Sequence, residues 1–221
     1  MVNKKNNAAG FSLIELTVAM TIMLILMAIV SQLLSQSMSI RSRESRVTDA
    51  LTSSQAALNI MSREISNSGF GLYEDPVTRQ ANNGLVLADS NAQRIHFRAN
   101  LYNTSPYSVS MDPGATNEAN EDVTYFFDAA TESIVRYDRN GNPQTSVVVN
   151  GISNVTFAYF NYTEGAPPPT TPTTTPTAST GRIQITVEVQ LPDVVGQPAN
   201  QRVTFTSQIN MRNSSYMLHQ Y

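Results

Sequence analysis

Residues Phe11 to Val30 form an unbroken apolar run of twenty residues in which Glu15 is the one ionisable side chain. At about 1.5 Å rise per residue, such a run spans roughly 30 Å as an α-helix, the thickness of a bilayer core. A carboxylate there costs several kcal/mol in hydrocarbon unless it is paired, neutralised or near the interface, so position alone makes Glu15 a functional candidate. No Gly or Pro occurs from Phe11 to Ser68, and nothing in the local chemistry stops a helix where the apolar run ends.

Past Val30 the composition turns amphipathic. Val47, Leu51, Ser54, Leu58, Met61 and Ile65 recur at spacings of three and four, with Ala50 and Ala57 beside them, which is one face of a helix. Arg41, Arg43, Glu44, Arg46, Asp49, Arg63 and Glu64 fall mostly off that face. Asn67-Ser68-Gly69 is a stop signal, with Gly69 suited to the left-handed C′ position. The pattern predicts one near-continuous helix of about 55 residues, roughly 80 Å long. A coiled coil is the competing account of the second half, but the stripe runs for about three heptads and lacks patterned flanking charges.

The remainder reads as strands. Arg94 to Ala99, Asp122 to Phe127, Ser133 to Tyr137, Val147 to Val149, Val155 to Tyr162, Ile183 to Leu191 and Val203 to Met211 are short runs rich in β-formers, several of them strictly alternating. The last two, Ile183 to Leu191 and Val203 to Met211, each bury one face and wet the other, as in an antiparallel sheet covered on one side by the amphipathic half of the helix. A long helix followed by an antiparallel sheet is α+β. Two polar insertions interrupt it. Asn100 to Glu121 is one. The other is the Pro/Thr tract within 165–180, expected to be extended and disordered because it has nothing to bury.

Composition narrows the chemistry. Net charge is −3 and no basic stripe offers itself to nucleic acid. There are no cysteines, hence neither disulfides nor thiolate metal sites. The two histidines, His96 and His219, form no metal-binding pair and sit in no nucleophile motif. His96 is expected to be a solvated strand residue. Asp138-Arg139-Asn140-Gly141-Asn142 is superficially like a calcium loop but lacks the alternating acids and the late Glu. The acids of Asn100–Glu121 are a second weak candidate for calcium. Asn103, Asn154, Asn161 and Asn213 fit a glycan-acceptor pattern that is frequent by chance in an Asn/Thr-rich chain. No enzyme constellation, cofactor site or metal site stands out.

Lys4 and Lys5, then Gly10-Phe11, then Glu15 as the fifth residue after the glycine, then an apolar helix, resemble the type IV prepilin signal shared by pilins and type II secretion pseudopilins. An ordinary signal peptide has a shorter core followed by a small-residue cut site, which Ala28-Ile29-Val30 does not supply. A plain anchor gives no reason for the Gly-Phe-(x)3-Glu spacing. The resemblance implies cleavage of a 1–10 leader between Gly10 and Phe11 by a prepilin peptidase that also methylates Phe11. Residues 11–30 then become a transmembrane half-helix, 31–68 an amphipathic half, and 69–221 a periplasmic head. It implies that Glu15 forms a salt bridge with the new amine of a neighbouring subunit. Partners would be other minor and major pilins or pseudopilins and inner-membrane lipid. The cytoplasmic placement of the N-terminus also comes from the resemblance, since Lys4 and Lys5 before the run and Arg41, Arg43 and Arg46 after it leave the charge rule nearly balanced.

Ala57 to Ile65 followed by Ser68-Gly69-Phe70-Gly71, together with the ending Phe205 to Asn213, resemble PilW-type minor pilins and J-type minor pseudopilins. The expected function is a minor pilin incorporated into or priming a type IV pilus. The alternatives are a J-type pseudopilin of type II secretion, and a membrane-anchored binding or adhesive domain that does not polymerise.

Overall fold

A computed structural model describes residues 12–72, 82–102, 116–191, 193 and 199–214. One helix, α1 (Leu13–Ser66), is 54 residues long, or about 80 Å. After it, among the described residues, come seven strands in two antiparallel sheets: β1 (Arg94–Arg98), β2 (Asp122–Asp128), β3 (Ser133–Asp138) and β4 (Thr145–Asn150) in the first, β5 (Asn154–Asn161), β6 (Thr180–Gln190) and β7 (Arg202–Asn210) in the second. Both sheets are simple meanders. The architecture is the expected α+β one, with the single expected sheet divided in two. The division falls at the turn through Gly151 and Ile152, where β4 ends and β5 starts in the other sheet.

The two sheets and the second half of α1 share one core. Ala57, Leu58, Met61 and Ile65 from the helix meet Ile95, Tyr125, Ile134, Phe157, Ile183, Val187 and Met211. The expected stripe is present but shifted: Ser54, Ala57, Leu58, Met61 and Ile65 are buried, Val47 and Ala50 half-buried, and Leu51 lies at the exposed margin, 38% accessible. The alternation in β6 is followed residue by residue, with Ile183, Ile185, Val187 and Val189 inward. In register they stand opposite Ile209, Ser207, Phe205 and Val203 of β7.

Helix and first sheet are also tied by a polar junction. Tyr125 Oη donates to Glu64 Oε2 at 2.7 Å, and Arg136 Nε donates to the same oxygen at 3.0 Å. Burial, reinforced by the Glu64 carboxylate, pushes the Tyr125 phenol pKa up, and burial alone does the same to Tyr159. The folded state therefore keeps two phenol protons that the unfolded chain releases near pH 10. Their contribution is complete below about pH 10 and is lost as pH rises above it, by up to about 1.4 kcal/mol per group per pH unit. Thermal melts between about pH 8 and about pH 11 should show the head losing stability steeply at the alkaline end. A Tyr125→Phe/Tyr159→Phe variant should start lower and show a flatter slope. A slope unchanged in that variant would mean other groups set the alkaline limit.

The end of α1 is a convergence point. Asn67 is the C-cap, and the left-handed residue is Gly69 (φ +81°), two positions beyond the cap rather than at C′. The shift has a cause. Gly69 N–H donates to Arg98 O of β1 at 2.9 Å instead of back to the helix. Ser68 Oγ donates to Asn83 O at 2.6 Å, and Asn213 Nδ2 donates to Ser68 O at 3.1 Å. The helix-end segment and the closing Arg212-Asn213 pair, far apart in sequence, thus meet at one node.

The Pro/Thr tract departs from expectation. Its Thr173 exchanges backbone hydrogen bonds with Tyr159 of β5 in both directions at 2.8 Å. Asn161 Nδ2 donates to Thr173 Oγ1, Arg182 Nη2 to Pro169 O, and Asn83 Nδ2 to Thr177 O. Pro176 is buried. The tract has little to bury, but β5 presents an unpaired strand edge, and threonine backbone and hydroxyl groups satisfy it.

Candidate functional site

The first half of α1 carries the sequence-based candidates. Gly10 and Phe11 lie outside the described residues, so the geometry begins at Ser12. Ser12 is the N-cap: its Oγ accepts from Ile14 N–H at 3.4 Å, and its own N–H donates to Glu15 Oε2 at 3.2 Å. Together they form a capping box. Glu15 therefore has a local role, satisfying a backbone donor at the head of the helix and offsetting the positive end of its dipole. Hydroxyl groups in the apolar run are satisfied internally, Thr17 Oγ1 by Ile14 O at 2.9 Å and Thr21 Oγ1 by Thr17 O at 2.8 Å. That is how polar side chains are tolerated in hydrocarbon.

Every residue from Ser12 to Ser42 is exposed. Leu13 is 81% accessible, Met23 71% and Met27 66%. An apolar surface this long is not left in water by a folded protein. The helix is long and apolar enough to cross a membrane.

Against known proteins, the prokaryotic N-terminal methylation motif matches residues 5–31. At its N-terminus the chain is similar to type IV prepilins. No curated protein and no solved structure matches the chain. The motif and the exposed apolar helix support a membrane-anchored, pilin-like protein.

Elsewhere the prepilin-like chain corrects two expectations. His96 is not solvated. Its side chain is 13% exposed and is clasped between carboxylates, Nδ1 to Asp89 Oδ2 at 2.9 Å and Nε2 to Asp122 Oδ1 at 2.5 Å. Burial alone would raise the Asp122 pKa, but the His96 hydrogen bond and the Arg98 charge hold it below the usual carboxylate value. Strand alternation alone placed His96 on the polar face; it could not show that the 3-10 turn Leu87–Asp89 folds over it. Arg43 is the second. It is 8% exposed, although set with the off-face charges. A signal was present, because Arg43 precedes Val47 by four residues and continues the apolar stripe one turn upward.

The weak calcium candidates have protein partners. Asp138 accepts from Asn120 N–H at 2.7 Å and Asn140 N–H at 3.1 Å. Glu121 accepts from the Leu101 and Tyr102 amides at 2.9 and 3.1 Å, closing the base of the insertion whose residues 103–115 lie outside the described ones. Asn161 and Asn213 spend their amide nitrogens on Thr173 and on the helix-end carbonyls. Asn103 and His219 lie outside the described residues.

Proposed function

We propose that this protein is a minor pilin, cut by prepilin peptidase between Gly10 and Phe11, methylated on Phe11, and incorporated into or priming a type IV pilus through its N-terminal helix. The observation that carries the reading is the methylation motif running directly into a helix that is exposed at every residue from Ser12 to Ser42. Such a helix is stored in lipid with its head outside the inner membrane and later exchanges lipid for neighbouring helices. The lack of cysteine, where many major pilins carry a C-terminal pair, favours a minor subunit. A J-type pseudopilin shares each of these features, and the set of co-purifying subunits separates the two.

Mass spectrometry of the N-terminal peptide from native membranes tests the processing. A peptide beginning at Phe11 and heavier by one methyl group is expected, and Gly10→Val should leave the uncut precursor. A chain still beginning at Met1 or Val2 would leave an anchored domain that does not polymerise.

A further inference from the structure

We propose that the groove under the head, where α1 leaves the bilayer, binds the phosphate headgroup of an anionic phospholipid. The groove lies between α1 residues 31–46 and Asp193 and has a volume of about 590 Å³. Its lower wall is apolar, with Leu34 and Met38 59% and 65% exposed. Its upper end carries Arg43 and Arg46, and small Ser35, Ser39 and Ser42 between them leave room along the helix.

Arg43 is the unusual feature. Its Nη2 donates to Gln201 Oε1, while Nη1 is buried with no hydrogen-bond partner among the described residues. Among the described residues, none of Arg41, Arg43 and Arg46 forms an ion pair. Asp193, the carboxylate on the groove wall, accepts from Asn200 N–H through Oδ1 at 2.8 Å. A guanidinium withdrawn from water without a counter-ion is costly, and its planar fork of donors matches a phosphate.

Position selects the source of that phosphate. If Glu15 sits at one interface, about 20 residues of helix carry the chain through the hydrocarbon to about Ser35, and the headgroup layer takes about 5 Å or more beyond that. Arg43 and Arg46 stand roughly two and three turns above Ser35, and the exposed Arg46 side chain is long enough to extend down toward the phosphate level. An acyl chain continues along Met38 and Leu34 into the bilayer. The site also accounts for two of the three arginines on the far side of the membrane span, Arg43 and Arg46, which charge counting leaves unexplained. It rests on the membrane-embedded helix and not on filament assembly.

The test is the thermal unfolding of the full chain in nanodiscs of phosphatidylcholine, with and without phosphatidylglycerol, followed by near-ultraviolet circular dichroism. Phosphatidylglycerol should raise the melting temperature of the head by about 5 °C. Arg46→Gln, which leaves the Arg43–Gln201 contact in place, should lose most of the rise, and Arg43→Gln all of it. Arg63→Gln, an exposed arginine of the same helix away from the groove, should keep it. Equal melting temperatures in both discs, or a rise unchanged in Arg46→Gln, would overturn the site. Inorganic phosphate reproducing the rise in phosphatidylcholine discs would assign the groove to a free anion. Self-association in those discs, lost in Arg43→Gln, would assign it to a second copy of this chain.

Discussion

Gly84→Ala should cost the head about 4 kcal/mol or more, a large part of the 5–15 kcal/mol that a domain has. Gly84 adopts φ +76°, and a Cβ there would lie 2.2 Å from Gly69 N, 2.4 Å from Arg98 O and 2.6 Å from Ser68 Oγ. Two of the three are backbone atoms already joined, Gly69 N–H to Arg98 O at 2.9 Å and Arg98 N–H to Gly84 O at 2.8 Å. Relief of the clash must part the end of α1 from β1, which also loosens Ser68 and Asn213. Left-handed backbone adds about 1 kcal/mol for a residue with a Cβ. Gly151→Ala is the internal control, because Gly151 has φ +70° with open space where the Cβ would go. It should cost only that conformational term. Melting of the purified full chain in detergent should show Gly84→Ala lower by about 8 °C or more and Gly151→Ala by about 4 °C or less. Equal, small losses in both would mean that helix end and strand do not approach as closely as described.

Helix and strands were legible because each is governed by a local period. The stripe from Val47 to Ile65 repeats at 3.6 and the run from Ile183 to Val189 at two; the strand folds as read, and the helix does so with its stripe shifted and Leu51 at the exposed margin. What could not be read depends on contacts between distant segments. Gly69 looked like a helix terminator, but its N–H is claimed by Arg98 of β1, so the left-handed turn falls beyond the cap. The Pro/Thr tract has no period and no apolar content. Its path is fixed by the free edge of β5, which becomes an edge only when the strands divide into two sheets. His96 shows the limit of alternation: the period puts it on the polar face, while Asp89 arrives from a turn that carries no periodic signal. At the N-terminal site, the spacing Gly10-Phe11-(x)3-Glu15 was legible as a motif. The capping role of Glu15 was equally legible, since Ser12 precedes it by three residues, but it was overshadowed by the anchor signal.

That second role decides how Glu15 has to be tested. Glu15→Ala removes both the charge and the cap, and the cap alone is worth about 1 kcal/mol, so a defect in that variant has two explanations. Glu15→Gln separates them, because Gln can take the same place in a capping box without the charge. If the carboxylate meets the methylated amine of a neighbouring subunit, its loss leaves a cation unpaired in an apolar filament core, a penalty of about 2–5 kcal/mol per contact. Assembly into filaments should therefore fall by about tenfold or more in Glu15→Gln, with membrane insertion and head folding unchanged. Glu15→Ala should be no better. Sheared filaments compared with membrane fractions by immunoblot give the reading. Normal assembly in Glu15→Gln with a defect in Glu15→Ala would make Glu15 a helix cap and nothing more. Normal assembly in both would remove it from the assembly mechanism. A defect in both, restored by Glu15→Asp only where the shorter acid still reaches its partner, would show that charge and distance set the register between subunits.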